Sequence, residues 1–393
     1  MKIATLSAAA TTFVAGGGRD LDIARAGEMP VVAAGDHVKL LDGNGDEVGL
    51  AIADPDNGKL RVLAIPADGF AAIDGALLGW RVEKAVAWRK QLGLPGPTHA
   101  YRIVHGAGDG LPGFAADVLG SFACVYVYGE GLRPLARQLA DAIVGFARLD
   151  GAVVKLRARG GAETVTQENV GKAAPETFVV TEPGVPELQY EIHPAGGLNV
   201  GLFTDMREQR RGLHRFVAGK RVLNLFSYTG ALSLASAKAG AASVTSVDTS
   251  QGVNAWAMGN FTRSGFKPGA QYKFETGDAV RYLARAIKDK ERYDTVLIDP
   301  PTFSTARGSP WTLDRDYPAL IAQAAEVIPA GGVLWLAANT HELASLAKLA
   351  QKGVRTAGRT AAIIEQCGLP PEYPTVAAQP HDRYLQICVL RLS

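Results

Sequence analysis

Residues 221–250 constrain the fold of this chain more than any other stretch. Val222, Leu223, Leu225 and Phe226 form a short apolar run, as expected of a strand buried on both faces. Residues 227–230 supply a turn, and residues 231–239 are small and apolar, suited to a helix packed closely on a sheet. Gly240 ends that helix, and residues 244–247 form a second short strand finishing on Asp248. Strand, turn, helix and strand make a βαβ unit of nucleotide-binding design. In such units an acidic side chain about 20 residues beyond the first turn accepts hydrogen bonds from ribose hydroxyls. The G-x-G-x-x-G fingerprint is missing and only Gly230 stands in the turn, which speaks against a dinucleotide with its pyrophosphate. A ligand without phosphates, such as S-adenosylmethionine (SAM), suits the turn better. An ordinary α/β crossover with a surface aspartate also fits this stretch taken alone.

Later residues favour the first reading. Residues 274–278 (F-E-T-G-D) have the form of a third strand edge, and residues 293–298 of a fourth strand running into Asp299-Pro300-Pro301-Thr302-Phe303-Ser304. In an open parallel sheet, ligands lie beyond the carboxyl ends of the strands, where Asp248, Asp278 and Asp299 would all project. This order resembles the class I SAM-dependent methyltransferases. D-P-P followed by an aromatic is similar to their motif IV, which faces the base in enzymes that methylate nucleic-acid amines. The run L-N-L-F-S-Y-T-G resembles motif I of one branch, the bacterial 23S ribosomal RNA methyltransferases that act on cytosine C5 or guanine N7. The segment from Gly201 to Arg211 is similar to the branch's G-x-F-x-D-x-R-x-x-R, with Asn199 where lysine is usual. D-G-L-P-G at 109–113, P-P-E-Y-P at 370–374 and R-Y-L-Q at 383–386 are also similar to it, so the resemblance spans most of the chain.

The resemblance implies an α/β fold, with a Rossmann-like class I methyltransferase domain at residues 191–393. Before it are expected a small PUA-like β barrel over residues 1–75 and a central β-rich α+β domain over 76–190. Independently, turn signals at 16–20, 34–36, 42–47 and 54–58 suggest a barrel of short strands in the first segment. A length of 393 residues suits two or three domains. D-G-N-G-D-E at 42–47 reads as a hairpin turn; the ordered ligand spacing of a calcium loop is absent. Three well-separated cysteines (Cys124, Cys367 and Cys388) form no CxxC pair, which fits a reducing cytoplasm. Neither a signal peptide nor an apolar run of membrane-spanning length is recognisable. His105 lacks partners at metal-ligand spacing and reads as a polar surface residue. Cytoplasmic localisation without membrane or metal is therefore expected.

The cofactor expected is SAM, held by Phe203, Asn224, Phe226, Ser227, Tyr228, Thr229, Gly230, Asp248, Asp278 and Asp299. The partner expected is RNA, foremost 23S ribosomal RNA, and a homodimer is allowed. Residues 1–80 hold six Lys and Arg against eleven Asp and Glu, leaving 35 basic against 28 acidic residues in the remainder. Phosphates should therefore meet the C-terminal part first. Arg207, Arg210, Arg211 and Arg215 are expected as a phosphate-facing stripe, the alternative being a solvated helix with an internal Asp205–Arg pair. The loop at 305–315 is a candidate lid. Asp299, Pro300, Phe303 and Asn339 are the expected catalytic set. In the cytosine-C5 members a cysteine sits just after the G-G-x-L-x strand, where this chain has Asn339. Cytosine C5 needs a thiolate added to C6 first, whereas guanine N7 presents a lone pair directly. The expected function is thus a SAM-dependent RNA methyltransferase acting at a base nitrogen, guanine N7 favoured. A covalent cytosine-C5 enzyme and a non-catalytic SAM-binding RNA module are the alternatives.

Overall fold

Several strands form from short apolar runs, as at Phe122–Val127, Thr295–Ile298 and Val333–Asn339. A computed structural model describes residues 1–95, 100–157, 166–182, 185–195, 197, 199–301 and 312–393. The chain divides into two compact units. The first comprises Met1–Gly184, Ile192–Val200 and Pro371–Asp382, and the second comprises Val185–Glu191, Gly201–Pro370 and Arg383–Ser393.

In the first unit, residues 1–64 contribute a six-stranded sheet. The strand order is Asp20–Asp22, Lys59–Ala64, Glu47–Asp54, His37–Leu41, Lys2–Leu6, Gly27–Glu28. The segment also contains a helix, Ala8–Ala15, capped by the Ser7 hydroxyl accepting from Ala10 N at 3.2 Å, where the turn signals point only to strands. Residues 42–47 close a hairpin: Asp42 Oδ1 accepts from Asn44 N at 2.8 Å and Asp46 N at 2.9 Å, an Asx turn. Asp74 caps the helix Gly75–Gln91, and a five-stranded sheet follows from Ala100–His105 to Thr166–Gly171, with the helix Arg133–Ala147 against it. Packing does not break at residue 75. Leu50, Ile52 and Leu63 share one hydrophobic cluster with Leu77 and Val82 of the helix and with Ile103, Val125 and Ile143 beyond it.

The second unit carries a seven-stranded sheet: β1 Arg221–Leu225, β2 Ser243–Asp248, β3 Tyr272–Thr276, β4 Thr295–Ile298, β5 Val333–Asn339, β6 Ala361–Gly368 and β7 Leu385–Leu392. Their order is β3-β2-β1-β4-β5-β7-β6. β1 to β5 are parallel, and β7 runs antiparallel between β5 and β6. Helices α1 Ala231–Lys238, α2 Gln251–Arg263, α3 Ala279–Lys288, α4 Leu313–Val327 and α5 Leu346–Thr356 connect them. The central strands are largely buried because both faces are covered, as parallel sheets require, and the few polar side chains among them, such as Asn224 and Ser246, are buried too. Strand order reverses between β1 and β4, and the crevice beyond their carboxyl ends is where such sheets bind ligands. Residues 313–315, expected within a loop, form the first turn of α4; the rest of that loop lies outside the described residues, apart from Thr312. Among the described residues no helix is long and apolar enough to cross a membrane.

Candidate active site

The turn after β1 is built on left-handed backbone. Phe226 (φ 59°) and Tyr228 (φ 47°) adopt this conformation although neither is glycine, and Gly230 (φ 77°) adds a third such residue. A non-glycine residue there costs roughly 1–2 kcal/mol, so the surroundings must over-determine it. They do so with hydrogen bonds: Ser227 N donates to Val247 O at 3.0 Å, Tyr228 N to Asp248 Oδ2 at 3.0 Å, and Thr229 Oγ1 to Gly201 O at 2.6 Å. Buried Asn260 of α2 donates to Thr229 O at 3.0 Å and accepts from Glu191 N at 2.9 Å. The Tyr228 ring lies 5.3 Å from Phe203 and 6.1 Å from Trp256, whose indole N–H donates to Glu191 O at 3.1 Å. At Gly201 (φ +118°) a Cβ would stand 2.4 Å from the Trp256 ring, so only glycine lets these segments close on the turn.

The expected cofactor residues separate into two sets. Asp248 ends β2 and accepts from Tyr228 N and, at 3.0 Å, from Ser250 N. Each carboxylate oxygen has two lone pairs, so capacity remains for hydroxyl donors. Ser227 Oγ is buried with no hydrogen-bond partner among the described residues. Phe203 is 40 % exposed. Asn224 and Thr229, by contrast, are fully buried. Asn224 Nδ2 donates to Ser233 Oγ at 2.8 Å, which also meets Ser246 Oγ at 2.7 Å, so the amide nitrogen ties sheet to helix, while Asn224 Oδ1 is buried with no hydrogen-bond partner among the described residues. Asp278 caps α3, its Oδ1 accepting from Val280 N and Arg281 N at 3.0 Å each.

Beyond β4, Asp299 meets a charge cluster that chain order does not reveal. Desolvation and the Asp205 carboxylate push its carboxyl up to about 7, while the Arg210 guanidinium pulls the other way. Tyr384 Oη donates to Asp205 Oδ2 at 3.0 Å, and Arg210 Nη2 donates to Phe203 O at 2.7 Å. Fully buried Tyr317 of α4 places its hydroxyl 3.1 Å from Ile298 O and 2.8 Å from Ala337 O, bracing the ends of β4 and β5. Pro300 is buried, and Asn339 lies exposed at the end of β5, three residues past Leu336, which pairs with Ile298. Phe303 lies outside the described residues.

The four arginines do not form one exposed stripe. Arg207 and Arg210 are each 5 % exposed, because the short helix Arg207–Gly212 turns them inward. Arg207 pairs with Glu208 at 2.5 Å. Only Arg211 and Arg215 present their side chains to solvent, and they pair with Glu208 at 3.0 Å and Glu365 at 2.6 Å. The motif G-L-F-T-D-M-R-E-Q-R marks the segment, but its spacing does not say which arginine turns toward the carboxylates.

None of the thiols is poised as a nucleophile. Burial pushes Cys124 up to about 12, and Cys367 and Cys388 each up to about 11.

Residues 105–385 match the family described as S-adenosylmethionine-dependent methyltransferase. A ribosomal RNA large subunit methyltransferase I of Klebsiella pneumoniae is 28% identical over 359 residues, covering 90% of this chain and 88% of that protein. Its namesake from Escherichia coli is 28% identical over 326 residues, 81% of each chain. Among solved structures, a SAM-dependent methyltransferase from Streptococcus mutans superposes with a TM-score of 0.87 at 23% identity, covering 99% of this chain and 100% of that one. A methyltransferase complexed with SAH gives 0.88 at 23% identity and the same coverage. At that identity the structures establish the fold alone.

Proposed function

Because this chain belongs to the S-adenosylmethionine-dependent methyltransferase family, we propose that it methylates ribosomal RNA at a base nitrogen, guanine N7 foremost, without a covalent cysteine adduct. The relatives from Klebsiella and Escherichia, named for the large-subunit ribosomal RNA, support the substrate class. The observation that carries the choice of atom is Asn339, exposed at the end of β5 where the covalent route would need a cysteine, with Cys124 and Cys388 buried within strands.

The residues fit SAM as cofactor. Asp248 suits ribose hydroxyls, the half-exposed Phe203 and its neighbour Tyr228 offer aromatic faces to a purine, and the Ser227 hydroxyl, unpartnered among the described residues, suits a polar group of the ligand. SAM brings a methyl group on a sulfonium, already activated for transfer, so the protein's work is to align donor and acceptor. Asp299 in its ionised form stabilises the positive charge that grows on a ring alkylated at N7. Arg210 favours that ionised form and Asp205 opposes it, so the carboxyl titrates near neutral pH. Asn339 orients the base through a hydrogen bond at its edge, and Phe303 is assigned to stack on it. Residues 1–75 are assigned as a PUA-type module in the same protein.

The test is product identity. Incubating the protein with labelled SAM and unmodified large-subunit ribosomal RNA, then digesting to nucleosides, should give 7-methylguanosine. A folded variant with all three cysteines replaced by alanine or serine should give the same product at comparable yield. Formation of 5-methylcytidine, or loss of transfer in the folded cysteine-free protein, would reject the guanine-N7 reading.

A further inference from the structure

The first unit contains a cleft of mixed apolar and cationic lining, made of residues that the proposed methyl transfer does not use. It is open, encloses about 390 Å³, and is lined by Arg19, Arg81, Lys84, Trp88, Gly108 and Asp109 among others. Arg19 and Arg81 are 7 % and 8 % exposed, yet Arg19 Nη1 and Arg81 Nε have no hydrogen-bond partner among the described residues. One carboxylate serves both cations: Asp68 is hydrogen-bonded by Arg81 and stands 3.9 Å from Arg19 Nη1. The other acid, Asp109, is already engaged by Arg89 at 2.5 and 2.9 Å and by His105 N at 2.6 Å. Lys84 adds a third cation at the rim, its ammonium 4.0 Å from the Trp80 ring centroid. The positive charge is therefore under-compensated. Desolvation, joined by repulsion from Arg19, lowers the Arg81 guanidinium to about 10, and desolvation lowers Arg19 as well. Buried donors without acceptors cost stability until an acceptor arrives.

We propose that this cleft binds a phosphate group of RNA, with the adjoining base on Trp88. Guanidinium groups match phosphate oxygens in geometry and charge. Trp88 is 39 % exposed, and its indole N–H is already donated to Pro371 O at 3.2 Å, so the ring face is what it offers a ligand. Phosphate donors beside an aromatic platform are how single strands are held without sequence readout. The cleft volume falls within the roughly 300–1,000 Å³ of small-ligand sites, room for a nucleotide rather than an ion alone. The inference rests on the RNA-methyltransferase reading for its source of phosphate, and its cations come from Arg19 in the acidic first 80 residues and from Arg81 and Lys84 just beyond them.

The test uses the full chain, a fluorescein-labelled unstructured ten-nucleotide RNA and inorganic phosphate as probes, with SAM binding as the control. In anisotropy titrations, Lys84→Gln should reduce the salt slope of RNA binding by about 0.7. Trp88→Ala should weaken RNA binding about ten-fold or more, the effect of losing one stacked base. Inorganic phosphate at constant ionic strength should raise Tm in the wild type and not in Arg19→Gln. SAM affinity should be unchanged in all three, since none of these residues belongs to the cofactor site. RNA affinity and salt slope that persist in folded Lys84→Gln and Trp88→Ala would overturn the site while leaving the methyltransferase reading intact. A phosphate-specific rise in Tm without any RNA effect would overturn RNA as the source and leave a free-phosphate site. Failure of methyl transfer to ribosomal RNA, with oligonucleotide binding still lost in these variants, would overturn the proposed substrate instead.

Discussion

At the scale of single residues, Asp299 and Asp248 show how the same acid acquires different duties. Asp248 is fixed by backbone donors from Tyr228 and Ser250 and is built to accept hydrogen bonds. Asp248→Ala should weaken SAM binding by about 2–3 kcal/mol, the loss of two hydrogen bonds to a charged acceptor, read by calorimetry on the folded variant. Asp299 instead carries a carboxyl raised from 3.8 to about 7 by desolvation and by Asp205. The folded state then holds this proton more tightly than the unfolded chain. Its stability falls as pH rises from about 4 through about 7, and the full cost persists above that. Asp299→Asn should accordingly raise the melting temperature at pH 8, with the gain shrinking to nothing near pH 4. The same variant should lose most methyl transfer. In the wild type, kcat/KM should drop below pH 7 as the carboxylate is protonated, and this limb should be absent in Asp299→Asn.

At the scale of elements, the β1–α1 turn is strained backbone held by its neighbours. Asn260 joins Thr229 O to Glu191 N from a fully buried position. Asn260→Ala leaves both groups without that partner, which costs roughly 1–3 kcal/mol of stability for each buried polar group left unsatisfied. The melting temperature should fall, and saturating SAM should restore part of it, because a ligand that binds only the folded state stabilises by mass action. A variant as stable as the wild type would show that the left-handed turn holds without this amide. The helix Arg207–Gly212 makes a related point. Successive residues on a helix point about 100° apart, so neighbouring arginines diverge: Arg210 reaches the Phe203 carbonyl and the acid cluster, while Arg211 faces outward to Glu208.

At the scale of the whole molecule, RNA affinity should depend on exposed cations rather than on the family motif as a block. The double variant Arg211→Gln, Arg215→Gln should lower the salt slope of RNA binding by up to about 1.4–1.8, which is about 0.7–0.9 for each phosphate left unneutralised. Unchanged slope and affinity would place the phosphate footprint elsewhere. Arg207 and Arg210 should behave differently, since both are buried. Replacing either should destabilise the fold without a matching change in salt slope, a difference that thermal melts and binding titrations separate.

Local patterning determined β1, β2 and β4, the β1 turn and two of the carboxylates that follow these strands. Apolar runs such as V-L-N-L and V-L-I can be buried on both faces, and Asp248 and Asp299 follow them by chain order alone. The glycine-poor turn also pointed away from a pyrophosphate-binding loop. Local pattern could not show that the Asn224 amide nitrogen is used by Ser233 on a helix nine residues later. Nor could it show that Asp205 and Arg210 act on Asp299, or that Arg19 and Arg81 share Asp68. These groups belong to different elements, and their charges meet only when the sheets and helices pack. Period and spacing report which face a residue takes within its own element. Which distant charge it meets there, and how much water remains between them, was decided by the tertiary structure.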